Sequence, residues 1–221
     1  MKALMALTGL ALVGFLLMHM FGNLKLLMGP EAFDHYAHYL REFLYPLLPK
    51  QTFLWLFRLF LLFCIVAHIW SAAKLSRRKA RSVGNVAGTG RYQSSKQMEK
   101  SYASRTMLWG GIIIFLFIIF HLLQFTITPE AITGVNPHEE GPYVMVMSAF
   151  SHWWMVLLYL ISMAAVCMHL WHGFWSAFAT LGANVSGQAQ VVIKACAHVV
   201  AAVVFIGFMV PPVLILVGVV N

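Results

Sequence analysis

Residues 153–175 read WWMVLLYLISMAAVCMHLWHGFW, and no aspartate, glutamate, lysine or arginine interrupts them. An α-helix rises about 1.5 Å per residue, so a run of this length crosses the roughly 30 Å of hydrocarbon in a lipid bilayer. The run therefore predicts a membrane-spanning helix. It contains two histidines, His169 and His172, and a polar ring at that depth needs either a hydrogen-bond partner or a function.

The rest of the chain also has the composition of a membrane protein. Its 221 residues are 61% hydrophobic and 10% charged, and its mean hydropathy is +0.79, which excludes the usual water-soluble classes. Lys2 precedes the first apolar run without a small-residue cleavage pattern after it, so we expect that run to be retained as a helix. A single all-α domain over residues 1–221 is predicted, with five transmembrane helices at roughly 3–28, 53–75, 106–127, 151–180 and 191–219.

Basic residues are concentrated in one connection, between Lys74 and Arg105, which holds nine of the 15 lysines and arginines. Loops rich in these residues stay on the cytoplasmic side of a membrane. We therefore predict that this connection and the N-terminus are cytoplasmic and that the C-terminus lies outside. Topology thereby explains the formal net charge of +8 better than nucleic-acid binding does. On the outer side, a short amphipathic helix is expected between Glu31 and Leu44.

The three cysteines, Cys64, Cys167 and Cys196, lie in apolar stretches without C-x-x-C spacing. This placement predicts neither a disulfide framework nor a zinc or iron–sulfur site. The chain also lacks the glycine-rich fingerprint of a Rossmann fold. Dinucleotide and iron–sulfur chemistry are therefore not expected within this chain.

Intramembrane histidines occur in four of the five predicted spans. His19 and His121 fall in the outer part of two spans that run outward, whereas His68 and His169 fall late in two spans that run toward the cytoplasm. From the helical rise, the two levels differ by roughly 10 Å or somewhat more. The sequence therefore predicts two facing pairs of imidazoles, one at each depth.

Facing imidazoles at two depths suit two six-coordinate hemes, because each iron takes one axial nitrogen from either side of the porphyrin. No C-x-x-C-H attachment motif is present, which favours non-covalent heme b. Zinc would require three or four ligands at one point, a proton relay would favour carboxylates within the spans, and a single histidine can simply hydrogen-bond a neighbouring helix. Several glycines would admit a flat macrocycle or equally let the helices pack closely: Gly9, Gly14, Gly22, Gly110, Gly111 and Gly173.

Three stretches carry a resemblance to a known family: TGLALVGFLLMHMF at 8–21, GPEAFDHYAHYL at 29–40 and MHLWHGFWSAF at 168–178. With the helix number and the order of the histidine-bearing helices, they resemble the five-helix, two-heme cytochrome b subunit of succinate dehydrogenases and fumarate reductases. The resemblance implies that His19 and His121 ligate a distal heme, and His68 and His169 a proximal one.

The family pattern also implies a choice between the two neighbouring histidines of the fourth span. Its fourth ligand is followed four residues later by glycine and six residues later by an aromatic residue. Here Gly173 and Trp175 stand at those distances from His169. His172 is an additional residue that departs from the pattern.

The resemblance further implies an anchor subunit in a bacterial inner membrane. A flavoprotein with FAD and an iron–sulfur protein would dock on its cytoplasmic side, and electrons from succinate would reach a membrane quinone, menaquinone, through the two hemes. The chain would not oxidise succinate by itself, and the complex could form a higher oligomer. The alternatives are the same subunit of a quinol:fumarate reductase and, more distantly, a heme-free transporter whose histidines relay protons or bind substrate.

Further contacts with the hemes are expected from residues near the span ends. Arg58, Tyr102 and Arg105 are candidates for binding heme propionates, and His172 for hydrogen-bonding one. For Arg58 the alternative is snorkelling to the headgroups, and for His172 it is plain packing. For Tyr102 and Arg105 the alternative is contact with the iron–sulfur protein, and anionic lipid is the expected partner of the basic run from Arg77 to Arg81.

A quinone site needs a group that exchanges protons. In one branch of the family a glutamate shortly after the first helix serves this site, and its spacing from His19 corresponds to Glu42 here. His38 belongs to the same short segment and is a second candidate. The alternative for Glu42 is an outer-loop acid that faces water beside Arg41.

Overall fold

The structure, a computed structural model, describes the backbone of residues 1–84 and 95–220 and the side chains of residues 1–78 and 107–220. These parts of the chain are helical, with no β-strand among them. A 3-10 turn, Lys25–Met28, continues the first helix, and a π-helical turn, Leu123–Ile127, continues the fourth. The α-helices are α1 Lys2–Leu24, α2 Pro30–Glu42, α3 Thr52–Gly84, α4 Ser95–Leu122, α5 Pro129–Thr133, α6 Gly141–Phe150, α7 Trp153–Thr180 and α8 Gly187–Leu216.

Among the described residues, five helices are long and apolar enough to cross a membrane, which confirms the predicted number of spans and indicates a multi-pass membrane protein. They correspond to α1 with its 3-10 turn, to Thr52–Arg78 of α3, to Met107–Ile127 at the end of α4, and to the whole of α7 and α8. The boundaries differ most at the basic connection. Helix α3 continues to Gly84 and α4 begins at Ser95, because alanine, lysine, arginine and glutamate favour helix where no turn residue ends it.

Helix α7 is the centre of the bundle. It packs against α1, α4 and α8, while α1 also packs against α3 and α8. Half of the most apolar window of α7 is buried, compared with 11% in α1 and 6% in α4. Lipid tails are as apolar as leucine, so the outer spans can expose their hydrophobic side chains without penalty.

Helices α3 and α4 pack against different neighbours. In the described part of the chain, the backbone of α3 comes close to α1 and α2, and that of α4 close to α7. Close backbone packing of α3 against α4 or α7 is not among the principal helix contacts there. Side chains that reach from α3 to α7 therefore bridge a gap between two helices whose backbones stand apart.

One carboxylate links the connections at the end of the bundle that carries α2 and α6. Asp34 Oδ1 on α2 accepts a hydrogen bond of 2.9 Å from the backbone N–H of Tyr143, in the first turn of α6. Gly141 has a φ of +90°, and a Cβ at that position would lie 2.8 Å from Asp34 Oδ2. A carboxylate at a helix N-terminus is favourable both as a hydrogen-bond acceptor and toward the helix dipole.

We expect Asp34→Ala to lower the free energy of unfolding by about 1 kcal/mol, because the substitution removes the acceptor at the first turn of α6. Denaturation in mixed detergent micelles measures this change. Asp34→Asn keeps an acceptor oxygen and is expected to lose less stability. Equal stability of Asp34→Ala and the unsubstituted chain would contradict the role of this bond.

Candidate functional site

The structure brings His19 and His121 together. His19 lies on α1 and His121 on α4, their ring centres are 5.8 Å apart, and the ring planes are inclined by 81°. Phe15 stacks on His19 at 5.3 Å, and Phe125 meets His121 edge-on at 5.4 Å. This pair, called the first pair below, therefore lies in an aromatic environment.

The structure also brings His68 and His169 together, and these residues form the second pair. His68 lies on α3 and His169 on α7, with ring centres 6.3 Å apart and ring planes inclined by 63°. Gly9 allows the His68 ring to lie close to the backbone of α1, because a Cβ at this position would lie 3.2 Å from His68 Cε1. Gly110 and Gly111 on α4 border the His169 ring in the same way, at 3.9 and 3.8 Å.

The two pairs lie at different depths in the bundle. On α1, Gly9 marks the level of the second pair, and His19 of the first pair follows ten residues later. Ten residues correspond to about 15 Å along a helix. The structure thus places the four histidines as the sequence predicted, in two pairs at two separate levels.

The separation within each pair matches that of two imidazoles that bind one metal from opposite sides. A bond from a metal to an imidazole nitrogen is about 2 Å long, so the centres of two such rings stand roughly 6 Å apart. In the described parts of the chain, no group of three or more histidine, cysteine, aspartate or glutamate side chains could hold a metal ion. A metal held by one such pair would take its remaining ligands from another group.

The hydrogen bonds of His68 leave one ring nitrogen available. Its Nδ1 lies 3.1 Å from the carbonyl oxygen of Met5 and 3.4 Å from Thr8 Oγ1. A carbonyl oxygen can only accept, so Nδ1 carries the proton and donates it. Nε2 then has the free lone pair that a metal requires, and the Met5 carbonyl holds the ring in place.

Unsatisfied polar atoms concentrate around the second pair. In the part of the chain with described side chains, His169 Nδ1, Ser71 Oγ and Trp175 Nε1 are buried without a hydrogen-bond partner. The backbone of Met107 lies close to the His169 ring without satisfying Nδ1. Buried polar groups are normally paired, so these three atoms fit a site for a ligand with hydrogen-bonding atoms of its own.

The other predicted heme contacts are not all brought to the pairs. Arg58 is exposed and stacks on Trp55 of the same helix, 5.0 Å from the ring centre, as expected for the snorkelling alternative. His172 is half-buried and lies within electrostatic reach of His169. Tyr102 and Arg105 belong to α4, but their side chains lie outside the described residues.

The predicted quinone residues lie at the end of α2, in the connection between α1 and α3. Glu42 forms an ion pair with Lys50, and His38 Nδ1 lies 3.7 Å from Glu42. The hydrogen bond from Lys50 lowers the pKa of Glu42 below its usual value, and the charges of His38 and Lys50 add to this effect. Glu42 is therefore held as a carboxylate.

Two residues beside the first pair were missed from the sequence. Tyr159 Oη lies 2.9 Å from His121 Nδ1 and donates a bond of 2.7 Å to Gln124 Oε1. Both side chains are buried. The available signal was their position: a glutamine and a tyrosine within apolar spans need polar partners.

Comparison with protein-family models, with curated proteins and with solved structures finds no match for this chain. The resemblance to the two-heme cytochrome b subunits therefore remains a prediction. It depends on the three quoted stretches and on the four histidines.

We expect Lys50→Ala to raise the pKa of Glu42 toward the ordinary glutamate value of 4.5. Because Lys50 lowers the folded-state pKa, the ion pair stabilises the fold above the usual glutamate pKa, and this contribution is lost as the pH falls through the lowered value. Carboxyl ¹³C NMR titration in detergent measures the pKa. Lys194→Ala, near Trp175 on α7, is the matched control, and an unchanged pKa in Lys50→Ala would contradict the assignment.

Proposed function

We propose that this chain is the di-heme cytochrome b membrane-anchor subunit of a succinate:quinone oxidoreductase. The observation that supports it most directly is that four histidines form two pairs. The ring separation in each pair is that expected of two imidazoles that hold one iron. Two such pairs about 15 Å apart along α1 would place two redox centres on opposite sides of the bilayer midplane. The quinol:fumarate reductase subunit is the same proposal with the reaction reversed.

His19 and His121 would hold the distal heme b, and His68 and His169 the proximal one. When bound, each heme supplies reversible one-electron chemistry at its iron. The chain's own residues orient the ligands. The Met5 carbonyl fixes His68, and the aromatic rings of Phe15, Phe117, Phe125 and Phe208 surround the first pair and exclude water.

The buried donors near the second pair support a site for propionates. Ser71 follows His68 by one helical turn, and Trp175 follows His169 by nearly two, so both lie toward the ends of α3 and α7. A hydroxyl and an indole N–H are donors that a carboxylate accepts. They join His172, Tyr102 and Arg105 as proposed propionate contacts.

The quinone, menaquinone, is proposed to bind near the distal heme, with Glu42 and His38 as proton carriers. Because Lys50 holds Glu42 ionised, the carboxylate would accept a proton released by quinol or return one through His38. The partners are proposed at the opposite side of a bacterial inner membrane. There the iron–sulfur protein and the FAD-containing flavoprotein would dock, and the exposed Arg77 and Arg78 of α3 would contact anionic lipid beside them.

We expect two b-type hemes per chain, because each of the two histidine pairs would hold one heme iron. A dithionite-reduced minus oxidised spectrum of the purified membrane protein, combined with pyridine hemochrome quantitation, measures the number. Zero hemes would favour the heme-free transporter, and one heme would contradict the assignment of one of the pairs.

We expect His169→Ala to eliminate one of the two hemes and His172→Ala to leave both, because only His169 meets His68. Heme quantitation and low-spin EPR signals distinguish the two outcomes. The neighbouring substitutions alter the same face of α7 by the same amount and therefore control for folding. Loss of a heme in His172→Ala alone would mean that the ligand is His172.

A further inference from the structure

A chain of three hydrogen bonds stands behind His121. Gln124 Nε2 donates to Met155 Sδ at 3.4 Å, Tyr159 Oη donates to Gln124 Oε1 at 2.7 Å, and Tyr159 Oη lies 2.9 Å from His121 Nδ1. Gln124 is completely buried, and Tyr159 and Met155 are almost so. These three hydrogen bonds are therefore shielded from lipid and from water.

The local backbone explains why these residues meet. Gln124 follows His121 by three residues, in the π-helical turn that continues α4, and Tyr159 follows Met155 by four along α7, so each pair shares one face. Gln124 also lies in the π-helical turn, where the N–H of Thr128 donates to the carbonyl of Leu123, five residues earlier. Single π turns inside helices occur frequently at functional sites.

The chemistry of the participating atoms fixes the direction of every bond. A thioether sulfur has no proton to give, so Met155 must accept from the Gln124 amide nitrogen. The amide oxygen of Gln124 then points at Tyr159 and can only accept, so the tyrosine hydroxyl donates to it. With its single proton used, Tyr159 Oη can only accept from His121 Nδ1. His121 thus carries its proton on Nδ1 and keeps a free lone pair on Nε2.

We infer that Tyr159 is a positioning residue for His121, and that Gln124 determines to which partner the Tyr159 hydroxyl donates its proton. Together they hold the imidazole in the one tautomer that can bind a metal through Nε2, before any metal is present. The role toward a heme iron rests on the proposed function. The tautomer of His121 does not rest on the proposed function, because it follows from protein atoms alone.

The histidines of the two pairs would consequently differ in the hydrogen-bond acceptor at Nδ1. A neutral phenol oxygen accepts from His121, a backbone carbonyl accepts from His68, and no described partner bonds His169 Nδ1. Partners at this second nitrogen change the basicity of the metal-binding one. Substitution at Tyr159 should therefore affect one heme and leave the other as an internal reference.

The heme-free test uses the full chain in detergent, with ¹⁵N-labelled histidine and resonances assigned by single-histidine variants. We expect His121 to be protonated at Nδ1. Tyr159→Phe should leave a mixture of tautomers, because the acceptor is gone. Gln124→Met should give the Nε2-protonated form, because the Tyr159 hydroxyl is released to donate to Nδ1. Protonation at Nε2 in the unsubstituted chain, or the same spectrum in all three proteins, would overturn the inference.

The second test uses the chain with its hemes. We expect Tyr159→Phe and Gln124→Met each to weaken retention of one heme roughly 10- to 100-fold, the usual effect of removing such a partner. In Tyr159→Phe that heme should also titrate at a more positive midpoint potential, because an imidazole without an acceptor is a weaker donor to ferric iron. The other heme should be unchanged in both variants.

Tyr143→Phe is the matched control, because Tyr143 is another buried tyrosine of the same core, and it should leave both potentials in place. An unchanged potential and unchanged retention of both hemes in Tyr159→Phe would overturn the positioning role. If the unsubstituted chain binds no heme but His121 shows the expected tautomer, the proposed function fails and the hydrogen-bond chain stands.

Discussion

An imidazole inside hydrocarbon has two nitrogens to satisfy and no water to satisfy them, and each polar group left without a partner there costs several kcal/mol, by an estimate of about 2 to 7. The bundle is organised around this constraint. Helix α1 supplies a carbonyl to His68, and α7 supplies a phenol to His121. In both rings the chain holds Nδ1 by a hydrogen bond, so the lone pair lies on Nε2.

The central position of α7 follows from the same requirement. This helix carries His169 of the second pair and Tyr159 behind the first, and it is the most buried of the five spans. A helix that contributes to both levels must contact the helices that carry the remaining histidines. Its packing against α1 and α4, with the side-chain bridge to α3, meets that geometric need.

The five spans and the pairing of histidines by depth could be predicted from the sequence, because helix length and rise depend on residue count alone. Tyr159 and Gln124 could not, since their meeting depends on how α4 and α7 rotate about their axes and on the π turn, which shifts the angular positions of the residues beyond it. The ion pair of Glu42 with Lys50 spans a connection in which Leu44 and Gln51 have positive φ. A non-glycine residue with positive φ leaves little trace in the sequence.

The regular helix between Gly9 and His19 has an evolutionary consequence. Gly9 faces one pair and His19 belongs to the other, and α1 runs between them without a break. One inserted or deleted residue in that interval would turn one end relative to the other by about 100°, so that either the glycine or the histidine would face lipid. Amino-acid identities within the interval are free to drift among apolar residues, but its length is not. Descendants of a common ancestor should therefore vary in the loops and retain this spacing.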